Sequence, residues 1–306
     1  MKRKSQSGFS SKQLIIIILI IIIAGAIIFA VTKKSHTTST NDQSGERKKI
    51  QLSEVIWQGD ANGSWKATGG TPPACPDPLL AYSPVDTEQA SQILYPGQYR
   101  GTDYKAHGGF RFDNNQSVDA YVRLPLDAKL VDAARYLEDG EVQYMLDFQN
   151  PCGVQIRFDH LYTLAPEFAK IADTLPAPKQ DDSRTTPVDS HPAFAAGELV
   201  ATAVGHKDSK NYAVDFGVYD LRKPNEMSKN ATWAAIHKDK APQAYYGVCW
   251  LDLLPSADKK RVHEILPLDT DDRGASDYCS FAAGGNTLQY NNGMPVTSHT
   301  TPNKSR

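Results

Sequence analysis

Residues 141–160, EVQYMLDFQNPCGVQIRFDH, carry the clearest folding signal in the chain. Apolar and polar side chains alternate over Glu141–Phe148 and again over Val154–His160, which is typical of strands with one buried face. Between the two runs, residues 150–153 (NPCG) have the composition of a tight turn. The stretch therefore predicts an antiparallel β-hairpin.

Neighbouring segments extend this β pattern. Glu198–Val204 and Tyr212–Leu221 predict a second pair of strands, whereas the spacing over Leu126–Leu137 fits either a helix or a strand. Residues 171–192 contain four prolines and few apolar side chains, which predicts a long surface loop. We expect a mainly β domain built from an antiparallel sheet or sandwich.

An apolar segment near the N-terminus predicts a membrane anchor. Residues 14–31 contain no charge and ten isoleucines, and as a helix they would be ~27 Å long, enough to cross the hydrocarbon core of a bilayer. Basic residues precede this segment without an acidic one, so the positive-inside rule places the N-terminus in the cytoplasm and the residues after Val31 outside it. Cleavage as a signal peptide is the alternative, since Gly25-Ala26 and Ala30 offer weak cleavage sites.

Charge is distributed unevenly along the chain. Residues 1–49 carry nine Lys and Arg against two acidic residues, a net charge of +7, so residues 50–306 must carry −9 to give the total of −2. An acidic body argues against nucleic acid as the partner, because phosphate binding requires clustered basic side chains. The basic excess is instead expected beside the membrane.

The cysteines support export of the body. There are four, none of them in a C-x-x-C pair, so the spacings of zinc ribbons and thioredoxin-like motifs are absent. An even number in an exported protein predicts two disulfides, for which three connectivities exist. Order along the chain favours Cys75–Cys152 and Cys249–Cys279.

Short motifs place histidine and acidic side chains on predicted strands. In chain order they are HGGFRFD at residues 107–113, RFDHL at 157–161, GELV at 197–200 and AVDFGV at 213–218. In order and spacing they resemble the lysostaphin-type zinc metallopeptidases, bacterial enzymes that cut peptidoglycan cross-bridges. The resemblance covers about residues 95–221 and implies an antiparallel β domain of the lysostaphin-like peptidase type, here preceded by one transmembrane helix.

The positions that hold zinc and perform catalysis in that family differ in this chain. The resemblance puts the three zinc ligands at His107, Arg111 and Asp215. Of the two catalytic histidines, one is retained as His160 and the other is replaced by Ala213. Arginine cannot bind a cation, and a catalytic zinc ion needs three protein ligands.

Two consequences follow for the acidic residues. Asp113 could supply the third ligand beside His107 and Asp215 if its strand shifts by two residues, since residues two apart share a face of a strand. Without a metal ion, a buried Asp215 requires a counter-charge, and we predict a salt bridge with Arg111. His206 lies outside the motifs and is interpreted as a packing residue.

The predicted organisation has seven segments. They are a cytoplasmic basic tail (1–12), a transmembrane anchor (13–32), a flexible linker (33–50), an approach segment (51–94), a peptidase-like β domain (95–230), a C-terminal extension clamped by its own disulfide (231–285) and a disordered tail (286–306).

Three functions of different classes fit this organisation. The first is a membrane-anchored, catalytically inactive peptidase-like domain that binds cell-envelope polymer such as peptidoglycan, or that regulates a cell-wall hydrolase, and it requires no cofactor. A second is a divergent zinc endopeptidase acting on peptidoglycan. The third is an unrelated exported β domain for adhesion or sensing. The first is favoured because Arg111 and Ala213 each remove a group that zinc hydrolysis requires.

Overall fold

The computed structural model describes residues 50–60, 62–265, 276–279, 289–291 and 294–296. The predicted anchor, its basic flank and all of the linker but its last residue lie outside the described residues, as does most of the predicted C-terminal tail. Among the residues described, no helix is long and apolar enough to cross a membrane.

Short strands dominate the secondary structure. In chain order they are β1 (Ile56–Gly59), β2 (Trp65–Thr68), β3 (Gln92–Leu94), β4 (Gln98–Arg100), β5 (Asp103–Lys105), β6 (Gly108–Arg111), β7 (Asp119–Arg123), β8 (Ala128–Glu138), β9 (Glu141–Asn150), β10 (Val154–Leu164), β11 (Thr186–Pro187), β12 (Ala193–Phe194), β13 (Leu199–Val204), β14 (Ala213–Asp220), β15 (Gln289–Asn291) and β16 (Met294–Val296). The described α-helices are α1 (Pro166–Ala172), α2 (Ala231–His237), α3 (Ala241–Ala244) and α4 (Ser256–Glu264).

Ten of these strands form one antiparallel sheet. Its order is β11-β8-β9-β10-β14-β6-β3, with β12 pairing beside β8 and β13 pairing with both β10 and β7. The pairs β1-β2, β4-β5 and β15-β16 form separate two-stranded sheets. The predicted mainly antiparallel β architecture is confirmed.

The predicted hairpin lies at the centre of the large sheet. β9 and β10 pair antiparallel with Asn150 opposite Val154 and Leu146 opposite Phe158. β8 pairs along the other edge of β9, so the segment whose spacing fitted a helix or a strand is a strand. Asp139 and Gly140 join β8 to β9 with φ values of 50° and 80°, the backbone of a two-residue hairpin turn.

The second predicted strand pair requires a correction. Both strands exist, as β13 and β14, but in the sheet each pairs with β10 and not with the other. β14 pairs with residues 154–159 of β10, whereas β13 pairs with residues 161–164. The change of partner falls at His160, whose φ of 58° bends the strand. This bend places the His160 side chain where three strands meet.

Aromatic side chains fill the core beneath the sheet. Phe148 contacts Phe158, Phe168 and Phe194 with ring-centroid distances of 6.2, 5.8 and 6.1 Å. On the other side of β10, Trp250 lies 5.1 Å from Phe216 and is fully buried. The segment after β14 therefore contributes to the same hydrophobic core as the sheet.

Both predicted disulfides, Cys75–Cys152 and Cys249–Cys279, are confirmed. The first ties the chain before β3 to the β9–β10 turn, across 77 residues of sequence, and the second closes a loop of 30. Restriction of the unfolded chain by loops of these lengths stabilises a fold by ~3–5 kcal/mol each in the chain-entropy model.

Candidate functional site

Two glycines bring β6 close to its neighbours at the edge of the candidate site. Gly109 lies opposite Asp215 of β14, and a Cβ atom at Gly109 would lie 2.4 Å from the carbonyl oxygen of Val214. A Cβ atom at Gly108 would lie 2.2 Å from the carbonyl oxygen of Leu94. Both distances are far below van der Waals contact, so only glycine permits this approach. The result places His107, immediately before β6, against Asp215.

We call Arg100, His107 and Asp215 the Asp215 cluster. The Asp215 side chain is 8% exposed, and its Oδ2 lies 2.8 Å from Nε2 of His107. Arg100, at the end of β4, donates from one guanidinium nitrogen to Oδ1 of Asp215 at 3.1 Å and from the other to the carbonyl oxygen of His107 at 2.6 Å. One arginine thus neutralises the carboxylate and fixes the backbone beside it.

Burial and charge act in opposite directions on this cluster. Burial alone would raise the pKa of the Asp215 carboxyl, but His107 and Arg100 hold that pKa well below its usual range. Burial lowers the pKa of His107 in spite of the nearby Asp215. Asp215 is therefore ionised at neutral pH, and Arg100 is its permanent counter-charge.

The predicted salt bridge between Arg111 and Asp215 is wrong. The two residues lie on the same face of the sheet, because Arg111 is opposite Ala213, two residues from Asp215. Arg111 instead forms two hydrogen bonds with the Asp113 carboxylate, both 2.8 Å long, and donates to Asn211 at 2.9 Å. The need for a counter-charge was correctly predicted, but Arg100 supplies it.

Asp113 also takes a different role from the predicted one. Its carboxylate accepts both hydrogen bonds from Arg111, and its backbone N–H donates to Ser91 at 3.0 Å. No contact joins it to His107 or Asp215 in the described part of the chain. A register shift that would bring Asp113 to the predicted metal position does not occur, since Gly109 is opposite Asp215.

His160 connects the Asp215 cluster to a second group of polar side chains. Its Nε2 lies 3.7 Å from Oδ2 of Asp215. Its Nδ1 lies on the other side of the ring, 3.5 Å from Oε2 of Glu138 and 3.3 Å from Nε2 of His206. His206 Nε2 is 3.9 Å from the same Glu138 oxygen. We call Glu138, His160 and His206 the histidine–glutamate triad.

Acidic groups surround His160. Burial opposes its charged form, but Asp159, Asp215 and Glu138 outweigh that effect and raise the pKa of His160. Tyr136 donates to Oδ1 of Asp159 at 2.6 Å, and the same oxygen accepts the backbone N–H of His160 at 2.8 Å. These bonds hold the bent backbone of His160 in place.

Backbone contacts position the triad from three separate segments. The N–H of Gly205 donates to the carbonyl oxygen of His160 at 2.7 Å, which links the two histidine-bearing segments directly. The buried side chain of Gln143 donates to the carbonyl oxygen of Gly205 at 3.1 Å. Glu141, opposite Glu138 across the β8–β9 turn, accepts the N–H groups of Lys207 and Asp208 at 3.1 and 2.7 Å.

A groove of about 610 Å³ opens beside His107. The groove is lined by one acidic side chain, Asp159, and by four basic ones: Lys105, Arg157, Arg184 and Lys240. Arg157 is held by Asp147, with a shortest N–O distance of 2.5 Å, whereas Lys240 is exposed. Arg184 pairs with Asp182, and Lys105 lies 3.5 Å from Asp103. Lys240 is therefore the basic side chain of this lining for which no ion pair is found among the described residues.

Sequence reasoning missed two residues of this site and undervalued a third. Arg100 lies in a short hairpin without a motif, so nothing in its sequence neighbourhood points to Asp215. Glu138 could have been found, because the Asp139-Gly140 dipeptide between alternating segments is a strong hairpin signal that places Glu138 opposite Glu141. His206 was interpreted as a packing residue; it is buried, but its ring faces His160.

Comparison with known protein families and with curated proteins finds no sequence match. Among solved structures, a distant similarity is found to a crystal structure assigned as the glycyl-glycine endopeptidase LytM of Ruminococcus gnavus. The two sequences are 12% identical, and the TM-score is 0.24. The match covers 59% of this chain and 63% of that chain, so this chain spans less than two thirds of its length.

Proposed function

We propose that this chain is a membrane-anchored, extracytoplasmic domain of lysostaphin-like peptidase type that binds peptidoglycan without cleaving it. Regulation of a cell-wall hydrolase is the other role that a domain of this type without catalysis could have. The motifs around His107, His160 and Asp215 are the basis for the family assignment, and the apolar segment at residues 14–31 is the basis for the anchor.

The observation that carries the proposal is the Arg100–Asp215 ion pair. The family resemblance places a zinc ligand at Asp215, yet this carboxylate already has a guanidinium at 3.1 Å and an imidazole at 2.8 Å. A zinc ion at that position would have to displace a cation that is itself 82% buried, since the Arg100 side chain is 18% exposed. The residues around Asp215 thus do not fit a metal ion, and no hydrolytic step is assigned to them.

The alternative of a zinc endopeptidase using His107, Asp113 or Asp215, and His160 has less support. Asp113 is bound by Arg111 and cannot complete a ligand set around His107. His160 does not complete a set with His107 and Asp215 either: among the described residues, the ligand atoms close enough together to hold a metal ion are those of Glu138, His160 and His206. His107 and Asp215 then offer two ligands, one fewer than a catalytic zinc ion requires.

Charge complementarity supports binding to envelope polymer. The groove beside His107 is lined by basic side chains, and the peptides of peptidoglycan carry free carboxylates that such side chains attract. Arg184 and Lys240 are the exposed basic residues of this lining, and Arg184 also forms two 2.7 Å hydrogen bonds with Asp182. A bound anionic peptide would therefore be expected to pair first with Lys240, and with Arg184 in exchange for Asp182.

Sedimentation with purified peptidoglycan tests both parts of the proposal. The full chain in detergent should co-sediment with sacculi, and the sacculi should release no soluble fragments with or without added zinc. Arg184→Ala combined with Lys240→Ala should weaken the binding several-fold. Lys260→Ala, which removes a 79% exposed lysine of α4 outside the groove, serves as the matched control and should bind normally. Release of fragments that requires His107 would contradict the proposal, as would equal binding by all variants.

A further inference from the structure

We propose that the histidine–glutamate triad is a binding site for one divalent transition-metal ion, for which zinc is the best match. The site is distinct from the position at which the family resemblance places zinc. It uses Glu138 and His206, which belong to none of the motifs, together with the ring nitrogen of His160 that faces away from Asp215.

The spacing of the three ligand atoms fits a tetrahedral ion. Zn–N and Zn–O bonds of ~2.0–2.2 Å place neighbouring ligands ~3.3–3.6 Å apart in a tetrahedron. In the triad the three distances are 3.3 Å between the histidine nitrogens, and 3.5 and 3.9 Å from Glu138 Oε2 to His160 and His206. Movement of Glu138 by a few tenths of an ångström would complete the geometry.

The chemistry of the donors selects the class of metal. Two imidazoles and one carboxylate suit zinc and neighbouring transition metals, whereas calcium and magnesium prefer oxygen ligands throughout. Three protein ligands leave a fourth position for water or for a carboxylate of a bound molecule. The Glu138 side chain is 39% exposed, so the ion has access from solvent on that side.

Charge distinguishes the triad from the Asp215 cluster. Within 4 Å of the Glu138 carboxylate, the only basic groups in the described part of the chain are the two imidazoles of His160 and His206. No lysine or arginine supplies there the charge that Arg100 supplies to Asp215. A metal ion would supply it.

The surroundings hold the ligands in position before any ion binds. A metal-binding histidine usually has a carboxylate at its second ring nitrogen, and Asp215 lies on that side of His160 at 3.7 Å, slightly beyond hydrogen-bond length. The 2.7 Å hydrogen bond from Gly205 to His160 fixes the distance between the two histidine segments. Glu141 anchors the residues after His206 to the turn that carries Glu138.

The test is zinc titration of the full chain, purified in detergent without a polyhistidine tag and stripped with a chelator. Calorimetry should give one zinc ion per chain, and Co²⁺ in its place should show the visible absorption bands of a tetrahedral complex. Glu138→Gln and His206→Ala should each lower the zinc affinity at least about 100-fold. His263→Ala removes a histidine with 38% side-chain exposure outside the triad and should leave the affinity unchanged.

His206 is buried, so His206→Ala could fail to fold; the partly exposed Glu138→Gln variant and the Co²⁺ spectrum of the unaltered chain keep the test decisive. The His107→Ala variant tests the other position, at which the family resemblance places zinc. This variant should still bind zinc. The proposal is overturned if the unaltered chain binds no zinc. It is equally overturned if Glu138→Gln leaves both the affinity and the Co²⁺ spectrum unchanged, or if His107→Ala alone abolishes binding.

Discussion

The Asp215 cluster and the histidine–glutamate triad lie at opposite ring nitrogens of His160, but they neutralise their carboxylates differently. Asp215 is 8% exposed and pairs with the guanidinium of Arg100. Glu138 is 39% exposed, and its only ion-pair partners among the described residues are the imidazoles of His160 and His206. In the Asp215 cluster, a guanidinium of the chain neutralises the carboxylate. In the histidine–glutamate triad, we propose that a metal ion does so.

A carboxylate that pairs with an arginine needs no metal ion for charge balance, whereas we propose a metal ion for the carboxylate of Glu138. His160 faces Asp215 with one ring nitrogen and the proposed metal ligands with the other. If the two regions are independent, substitutions in one should leave the other unchanged.

Removal of Arg100 should have the largest effect on stability. Arg100→Met leaves Asp215 buried without its permanent counter-charge, which should lower the free energy of unfolding by ~3–5 kcal/mol. Arg111→Met, whose partner Asp113 is 37% exposed, should cost ~1 kcal/mol or less. Urea unfolding followed by tryptophan fluorescence measures both. Restoration of stability by the second change Asp215→Asn would support the pairing, whereas equal losses for the two arginines would contradict it.

Substitution of Gly205 should disturb the triad selectively. Its φ is 75°, and a Cβ atom would lie 2.1 Å from the carbonyl oxygen of Asn211, so Gly205→Ala should cost more than ~2 kcal/mol. Gly101 has a φ of 65° with nothing within 4 Å of an added Cβ, and Gly101→Ala next to Arg100 should cost only ~1–2 kcal/mol. Thermal or urea unfolding of the two variants compares them. A similar loss for both would mean that the loop carrying His206 is not held as tightly as the contacts indicate.

Acid should destabilise the protein partly through His107. Burial lowers its pKa below the value of 6.5 expected in the unfolded chain. Below pH 6.5 the imidazole of His107 therefore binds a proton in the unfolded chain but not in the folded one. This difference favours unfolding, so the free energy of unfolding decreases as the pH falls from 6.5 toward the folded-state pKa. His107→Gln should lose less stability than the unaltered protein between pH 7 and about pH 5. His263→Gln is the control, and an unchanged pH dependence in His107→Gln would argue against a buried neutral imidazole.

Glu141 should have the smallest effect on stability and a larger one on metal affinity. Its carboxylate accepts two backbone N–H groups of the loop after His206, at the solvent-exposed end of β9. Glu141→Gln keeps the size and should cost under ~1 kcal/mol, while weakening zinc binding by roughly 10-fold because the His206 loop is held less firmly. Glu167→Gln, an exposed residue of α1, is a matched control. An unchanged zinc affinity would show that the hydrogen bonds from Lys207 and Asp208 to Glu141 do not position the triad.

The central part of the fold could be read from the sequence, because strand alternation is a local signal. Residues 141–160 and both disulfides were predicted correctly on that basis and on cysteine order. The strand partners of β13 and β14 were not predicted correctly. Both strands pair with β10, on either side of the bend at His160, where a non-glycine residue adopts a φ of 58°. Histidine adopts positive φ more often than most residues do, but still too rarely for its position in the sequence to predict the bend.

Site geometry was predictable only where a motif carried it. The motifs correctly brought His107, His160 and Asp215 together, as the 2.8 and 3.7 Å distances show. Arg100 was missed because it reaches Asp215 across 115 residues of sequence from a separate two-stranded sheet. Long-range side-chain pairs of this kind depend on packing, which no local pattern encodes.

Anomalous diffraction at the zinc edge, from crystals grown with one equivalent of zinc, locates the bound ion. We expect one peak within ~2.2 Å of Glu138 Oε2, His160 Nδ1 and His206 Nε2, with Arg100 still paired to Asp215. A peak between His107 and Asp215, with Arg100 displaced, would contradict this expectation.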